Sequence, residues 1–381
     1  MTGASAGAAT YGQFQAREYF GALDGLRAVA ILLVLFHHVP HLAGGVGWTL
    51  QDNGRYGVAV FFTISGFLIS TLLLREERRN GRIALGRFYA RRAVRLLPLY
   101  YVALGLQAAL VFGANLYTPE NQLLFREKLP GYLLYFSNWL PTATQGPFFC
   151  AWSLAVEEQF YLGFGALLLF CRRGLLVAGL AAALLAKFAI YQAWGDIDTA
   201  SALWRIVFSY QEAILWGVLL GFALDRPAVY RRVAVVVHDG YVLAAVGLAA
   251  SLWLLLHPMQ SQSTWDAELL NLLVTLLLAG VVVRRSPTPG LDHPLLRHIG
   301  RVSYGIYLLH MFVLSAVKKI PGGTQPWVCF VATSVITIVV ASAVYRWFEQ
   351  PIIQYFRRRS SPAKSTPFTA AIDQAPATVQ G

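Results

Sequence analysis

The chain has 381 residues, of which 56% are hydrophobic and only 13% charged, with a mean hydropathy of +0.52. A soluble domain carries roughly 25% charged residues, so a water-exposed globular surface is excluded and a polytopic membrane protein is the class that fits. The net charge of +12 does not signal nucleic acid, because the arginines stand in short clusters between apolar runs; the cysteines, Cys150, Cys171 and Cys329, are too scattered for a disulfide framework or a metal site.

In chain order, residues 1–22 lack the basic-then-apolar order of a cleavable signal peptide and read as a cytoplasmic N-terminal segment. The membrane region, 23–356, is expected to be all-α, with ten transmembrane helices at about 26–44, 56–74, 96–113, 150–170, 174–193, 204–224, 240–257, 267–283, 302–317 and 327–347. The stretch LPGYLLYFSNWLP (129–141) is short and proline-bounded, and reads as an interfacial or re-entrant piece. Residues 357–381 are basic and then rich in Pro, Ser, Thr and Ala, the composition of a disordered cytoplasmic tail. Placing both termini in the cytoplasm leaves only Arg55, Arg126, Lys128, Arg205, Lys318 and Lys319 in outer loops, as the positive-inside rule requires.

The first span carries an unusual polar line. Arg27 and His38 are eleven positions apart, about 16 Å of rise and close to three turns, so they share a helix face. Asp24 stands one turn before Arg27 and can pair with it, His37 points about 100° away, and His41 is expected one turn further on. A neutral imidazole at His38 suits a buried general base.

The fourth span opens with FFCAWSLAVEEQFYL (148–162), which gathers Trp152, Ser153, Glu157, Glu158, Gln159 and Tyr161. Two adjacent glutamates at a membrane boundary cannot both face lipid, so one needs a protein partner, and an imidazole on the first span is chemically suitable. Eight arginines lie between Arg75 and Arg95. Arg87, Arg91, Arg92 and Arg95 form an array of guanidinium forks that suits either a polyphosphorylated ligand or anionic lipid headgroups. RVSYGIYLLH (301–310) sets Ser303, Tyr307 and His310 along one side of the ninth span, and YRWFEQP (345–351) puts Arg346 and Glu349 one turn apart. Ser65 lies in FFTISGFLIS (61–70), where Gly66 is expected to permit close helix contact.

Together these stretches resemble the membrane-bound acyltransferase 3 family, over about Leu23 to Tyr355. The opening Arg27…His38 pattern, FFTISGFL, RFYARRAVRLLPLYY, WSLAVEEQFYL, SYGIYLLH and FEQP occur in the family's order, and the fourth of these alignments assigns the motif glutamate to Glu157 within WSLAVEEQFYL. The resemblance implies an integral membrane O-acyltransferase that moves an acetyl or other short acyl group from cytoplasmic acyl-CoA, most simply acetyl-CoA, to a hydroxyl of an acceptor. Family acceptors include O-antigen, exopolysaccharide, peptidoglycan, Nod factors and macrolides.

The resemblance also implies that His38 is catalytic and that the inner arginines meet the CoA phosphates, with Arg27 at the cytoplasmic end of the same path. Glu157 would orient His38 if the two spans touch. Asp24, Ser65, Trp152, Ser153, Gln159, Tyr161, Tyr307, His310 and Glu349 are further polar-cavity candidates, with Tyr307 and Gln159 as potential oxyanion donors. Direct transfer is the simpler route, and an acyl-imidazole on His38 is the other. No permanently bound cofactor is expected, the partners being acyl-CoA, the acceptor and membrane lipids of the inner (plasma) membrane; self-association is left open. A surface glycan is the first acceptor expected, a macrolide-like secondary metabolite the second. A transporter of an acylated glycan would also place charges in spans, but would have no use for the arginine array. Some family members carry a C-terminal esterase-like domain, and the stop after the last span predicts no second, soluble transfer step in this chain.

Overall fold

The computed structural model describes residues 7–114, 116–140, 146–194, 206–207, 209–258 and 263–360. Among these residues the regular structure is helical, apart from one isolated bridge between Ala8 and Arg284. The helices are α1 (Tyr11–Ala16), α2 (Gly21–His38), α3 (Gly45–Asn53), α4 (Gly57–Asn80), α5 (Leu85–Ala108), α6 (Pro119–Leu133), α7 (Ala151–Phe170) and α8 (Arg173–Trp194). They continue with α9 (Glu212–Asp225), α10 (Pro227–Val237), α11 (Gly240–Leu256), α12 (Thr264–Val283), α13 (Pro294–Arg301), α14 (Ser303–Val317), α15 (Pro326–Val344) and α16 (Gln350–Ser360).

Seven helical runs among the described residues are long and apolar enough to cross a bilayer, and two bent pairs bring the number to nine if each pair is one span. The bends are 110° between α9 and α10 and 73° between α13 and α14. Each follows from local chemistry: Arg226 is extended ahead of Pro227, and Val302 leaves the helical region ahead of Ser303. The chain is therefore an all-α, multi-pass membrane protein with seven to nine candidate spans, where the sequence suggested ten. Helix α11, at Gly240–Leu256, is apolar but shorter than the rest.

The fold divides into two compact units. One comprises Met1–Phe61, Ala223–Gln262 and Leu272–Gly381; the other comprises Phe62–Phe222 and Ser263–Asn271.

In the first unit, α1 starts at a capping box in which the Thr10 hydroxyl accepts from the Gln13 N–H (3.2 Å) and the Gln13 carbonyl accepts from the Thr10 N–H (3.0 Å). This segment is tied down by side-chain donors that reach backbone carbonyls. Tyr11 donates to Asp225 O (2.6 Å), Arg17 to Val282 O (3.2 Å) and Arg284 O (2.8 Å), and Tyr230 to Ala9 O (2.8 Å). Helix α13, begun by His293 and Pro294, packs on the start of α2 at glycine distance: a Cβ at Gly300 would overlap the Asp24 carbonyl. At its other end α2 stops at His38, with Val39 extended before Pro40, and does not run on to residue 44.

In the second unit, Gly66 of α4 and Gly217 of α9 sit at a mutual close approach. A Cβ at Gly66 would run into the Ile214 carbonyl, and one at Gly217 into the Thr63 carbonyl. That is the contact expected of FFTISGFL, in which small residues let backbones meet. Gly66→Leu should lose about 3 kcal/mol or more of stability, the upper range for overpacking; a drop in the unfolding midpoint in detergent would measure it, and an unchanged midpoint would refute the crossing.

The 129–141 stretch is helical to Leu133, then turns through Tyr135 (φ 56°) into the short helical turn Ser137–Trp139. Residues 357–360 continue α16, and the remainder of the expected tail lies outside the described residues.

Candidate active site

His38 is the last residue of α2. Its Nδ1 lies 2.7 Å from the Val34 carbonyl, which can only accept, so Nδ1 carries the proton and Nε2 is the lone-pair nitrogen. The ring of His310, from α14, meets it at 4.9 Å between centroids and 68° between planes. His310 is fully buried, its Nδ1 lies 2.5 Å from Tyr307 O, and its Nε2 has no hydrogen-bond partner among the described residues. Both imidazoles therefore present an unprotonated Nε2, at the edge of an apolar cluster built on Phe36, Val39, Leu314, Val317 and Cys329. Sequence spacing placed His310 on a polar helix face, but only tertiary packing brings it to His38.

Around this pair, two residues that sequence reading missed fix the backbone. Gln51, fully buried, donates to Val39 O (3.1 Å) and Pro40 O (3.0 Å) and accepts from Leu42 N–H (2.9 Å), clamping the exit of α2. The neighbouring His37 Nδ1 donates to Gln51 O (3.1 Å). Asn53, equally buried, donates to Leu254 O (2.9 Å) and His257 O (2.8 Å). The sequence offered one signal, paired amides inside a short stretch after Gly44–Gly45, which is easily read as an ordinary loop.

Because α2 ends at His38, His41 lies beyond the helix, on an exposed stretch, and does not extend the polar line as its spacing suggested. The physical reason is Pro40, which cannot supply the next helical N–H.

At the other end of α2, Asp24 is buried and binds Arg27 Nη1 at 3.0 Å, as expected from their one-turn spacing. It also accepts from the Tyr19 hydroxyl and lies 3.8 Å from Arg301 Nε. Burial, then the charge of Asp24, raises the Tyr19 phenol above its ordinary range, so that it stays the donor. Further along, Ser303, Tyr307 and Glu349 are all buried, and Glu349 Oε1 lies 3.5 Å from where a Gly305 Cβ would stand.

The second unit holds the remaining candidates. Glu157 accepts from the hydroxyls of Ser65 and Tyr161 and lies 3.7 Å from Arg92 Nη2. The Arg92 guanidinium sits 3.6 Å over the buried Tyr161 ring, a cation–π contact. Arg91 turns elsewhere, 4.0 Å from the buried Glu76, whose other oxygen accepts from Ala84 N–H at 3.2 Å. Arg87 is exposed and Arg95 half-buried. The four arginines are thus not equivalently placed: a step of one residue is about 100° of helix, which sends Arg92 to Glu157 and Arg91 to Glu76. Trp152 packs edge-on to Phe62 at 6.1 Å, and buried Ser153 donates to Cys150 O (3.3 Å). Gln159 donates to Tyr135 O (2.7 Å) and exchanges a reciprocal amide pair with Asn138 (2.8 and 3.0 Å).

The two units thus each hold a polar cluster, the imidazole pair at the end of α2 and the Arg92–Glu157–Tyr161 group, and the family comparison says what kind of chain carries them. Residues 20–346 match the model of the Acyltransferase domain. The chain belongs to that family. The acyltransferase domain is similar to the peptidoglycan O-acetyltransferase OatA of Listeria monocytogenes, 27% identical over 90% of this chain and 58% of that protein. It is also similar to the O-acetyltransferase OatA of Staphylococcus aureus (strain NCTC 8325), 26% identical over 88% of the chain and 57% of the relative. A provisionally named O-acetyltransferase of S. aureus (strain COL) is 29% identical, over 89% and 58% respectively. The acyltransferase domain thus spans a little over half the length of these curated relatives, and no solved structure matches it.

Proposed function

We propose that this acyltransferase domain moves an acetyl or short acyl group from acyl-CoA to a hydroxyl of a glycan, with His38 as general base. The observation that carries the reading is the His38–His310 pair: two imidazoles whose Nδ1 atoms are each tied to a carbonyl and whose ring centroids are 4.9 Å apart, inside a chain of this family. The reaction balances without a further reagent. His38 Nε2 takes the hydroxyl proton as the acceptor oxygen forms its bond to the thioester carbonyl carbon; the tetrahedral intermediate then breaks its C–S bond, and the proton passes to the departing thiolate. The Nδ1–H bond to Val34 O holds the ring in the required tautomer. His310, with a buried acceptor nitrogen beside that ring, is a positioning residue that stabilises protonated His38.

Acetyl-CoA is the donor on this reading, its phosphates meeting Arg87, Arg91 and Arg95. Arg92, engaged with Glu157 and Tyr161, supports the arginines rather than joining them. Arg27, held by Asp24, guards the cytoplasmic end of α2. The domain would cross the plasma membrane ten times, with α11 as the short crossing and both termini in the cytoplasm. A glycan acceptor, such as the peptidoglycan named for the Listeria relative, is favoured over a macrolide because the named relatives include a glycan-modifying enzyme.

The test is thiol release from acetyl-CoA by purified protein with and without glycan strands. Acceptor-dependent release is expected, and Arg87→Glu should raise the acetyl-CoA KM about tenfold or more, a charge-assisted contact being worth roughly 1.5–3 kcal/mol. Release that ignores every hydroxyl acceptor would sink the proposal.

A further inference from the structure

The second unit contains a set of buried polar oxygens that the transfer chemistry above does not use. In the segment after α6, the Tyr135 hydroxyl and the Ser137 hydroxyl are buried with no hydrogen-bond partner among the described residues. The same is true of one carboxylate oxygen of Glu158, on α7. Leaving a buried polar group unsatisfied costs about 1–3 kcal/mol, and native structures leave few such groups without a purpose.

The segment that carries Tyr135 and Ser137 is fastened to the helix that carries Glu158. Gln159, next to Glu158 in sequence, fastens the segment through Tyr135 O (2.7 Å) and the paired amide of Asn138. Tyr135 adopts a left-handed backbone (φ 56°), a conformation that a bulky residue takes only when its surroundings impose it. Its ring stacks on Tyr100 at 4.4 Å and 30°, and Tyr100, fully buried, donates to Tyr132 O (2.7 Å). Burial, then Tyr100 and the charge of Glu158, pushes the Tyr135 phenol well above its ordinary range, so it remains a donor. Two hydroxyls and a carboxylate oxygen, set against stacked aromatic rings, match one ligand chemistry in particular. A sugar ring presents adjacent hydroxyls that both donate and accept, and a C–H face that lies against aromatic surface.

We propose that Tyr135, Ser137 and Glu158 form a saccharide subsite that recognises hydroxyls of the acceptor glycan, with the Asn138–Gln159 amide pair as its brace. This deepens the glycan-acceptor reading and rests on it. Sites built to hydrogen-bond a substrate hydroxyl discriminate strongly, because their own groups go unpaired when it is missing. The subsite thus makes the acceptor, not the donor, sensitive to these residues.

The experiment uses the full-length protein in detergent with acetyl-CoA and a soluble strand of β-1,4-linked N-acetylhexosamines. Tyr135→Phe, Ser137→Ala and Glu158→Gln are each expected to raise the glycan KM about tenfold, the scale of one lost hydrogen bond to a buried group, while kcat, the acetyl-CoA KM and the unfolding midpoint stay within twofold or unchanged. Saturable binding of the strand, read by tryptophan fluorescence without acetyl-CoA, separates this proposal from the catalytic one. Binding that is present in wild type and weakened in Tyr135→Phe and Ser137→Ala supports the subsite even if no acetyl group is transferred. An unchanged glycan KM and unchanged binding in both conservative variants overturns it, as does a variant series that lowers the unfolding midpoint alone, the mark of groups satisfied by structural water.

Discussion

Purified His38→Ala protein is expected to release thiol from acetyl-CoA, in the presence of glycan acceptor, about 100- to 10,000-fold more slowly than wild type, the range that general acid–base catalysis contributes. The neighbouring imidazole on α2 is set at a different angle. His37 spends its Nδ1 on Gln51 O, and its ring stands at 83° to that of His38. The backbone should survive the change, because the exit of α2 is clamped by Gln51 on Val39, Pro40 and Leu42, not by the imidazole. Acetyl-CoA binding by the variant is therefore expected to persist, which distinguishes a lost base from a lost fold. His310→Gln should keep part of the activity and shift its acidic limb on the pH–rate profile, since it alters the surroundings of the base and not the base itself. A His38→Ala protein that turned over near the wild-type rate would move the chemistry elsewhere.

Glu157→Ala is expected to be the most destabilising single substitution in the second unit, by about 3–5 kcal/mol, the cost of breaking a largely buried ion pair from one side. Three groups lose their acceptor together: the Ser65 and Tyr161 hydroxyls and the Arg92 guanidinium. The Arg92 head, with its side chain 20% exposed and stacked on Tyr161, cannot turn to water without giving up that face. Glu157→Gln should recover part of the loss, because an amide oxygen still accepts from both hydroxyls while the charge is gone. A double-mutant cycle of Glu157→Gln with Arg92→Met, followed by unfolding in detergent, measures the pairwise coupling. If Glu157→Ala unfolded at the wild-type midpoint, the cluster would have no structural weight.

How much of this could be read from the sequence depends on the kind of signal. His38, Asp24, Arg27 and Glu157 stood out because ionisable groups inside apolar runs are costly and need a reason. The Asp24–Arg27 pair is local, one helical turn apart, and appeared as its spacing required. Pairings between distant elements were not legible: nothing in SYGIYLLH shows that His310 reaches His38, and nothing in the arginine-rich stretch shows which acid each guanidinium finds. Helical angle alone could have separated Arg92 from the line of Arg87, Arg91 and Arg95, yet clustering of like charges hid it. The bends at Arg226 and Val302 fall where the expected spans 204–224 and 302–317 end and begin, so the charges there marked a boundary but not the further helix that continues at an angle beyond it. Gln51 and Asn53 were missed for a related reason, because amides that serve distant carbonyls carry no periodic pattern.

The double partnership of Asp24 also bears on how such a chain is assembled. Helix α2 leaves the ribosome early, while Arg301 is made only after most of the membrane region has followed. An acid whose sole partner came so late would enter the bilayer as a bare charge. Arg27 and Tyr19 lie within a few residues of Asp24, so a neutralising shell is synthesised with it and can travel in with the first helix. The late arrival of Arg301 and the glycine contact of α13 then add to a pair already formed. The opening helix can thus be inserted ahead of the helices that will eventually complete its surroundings.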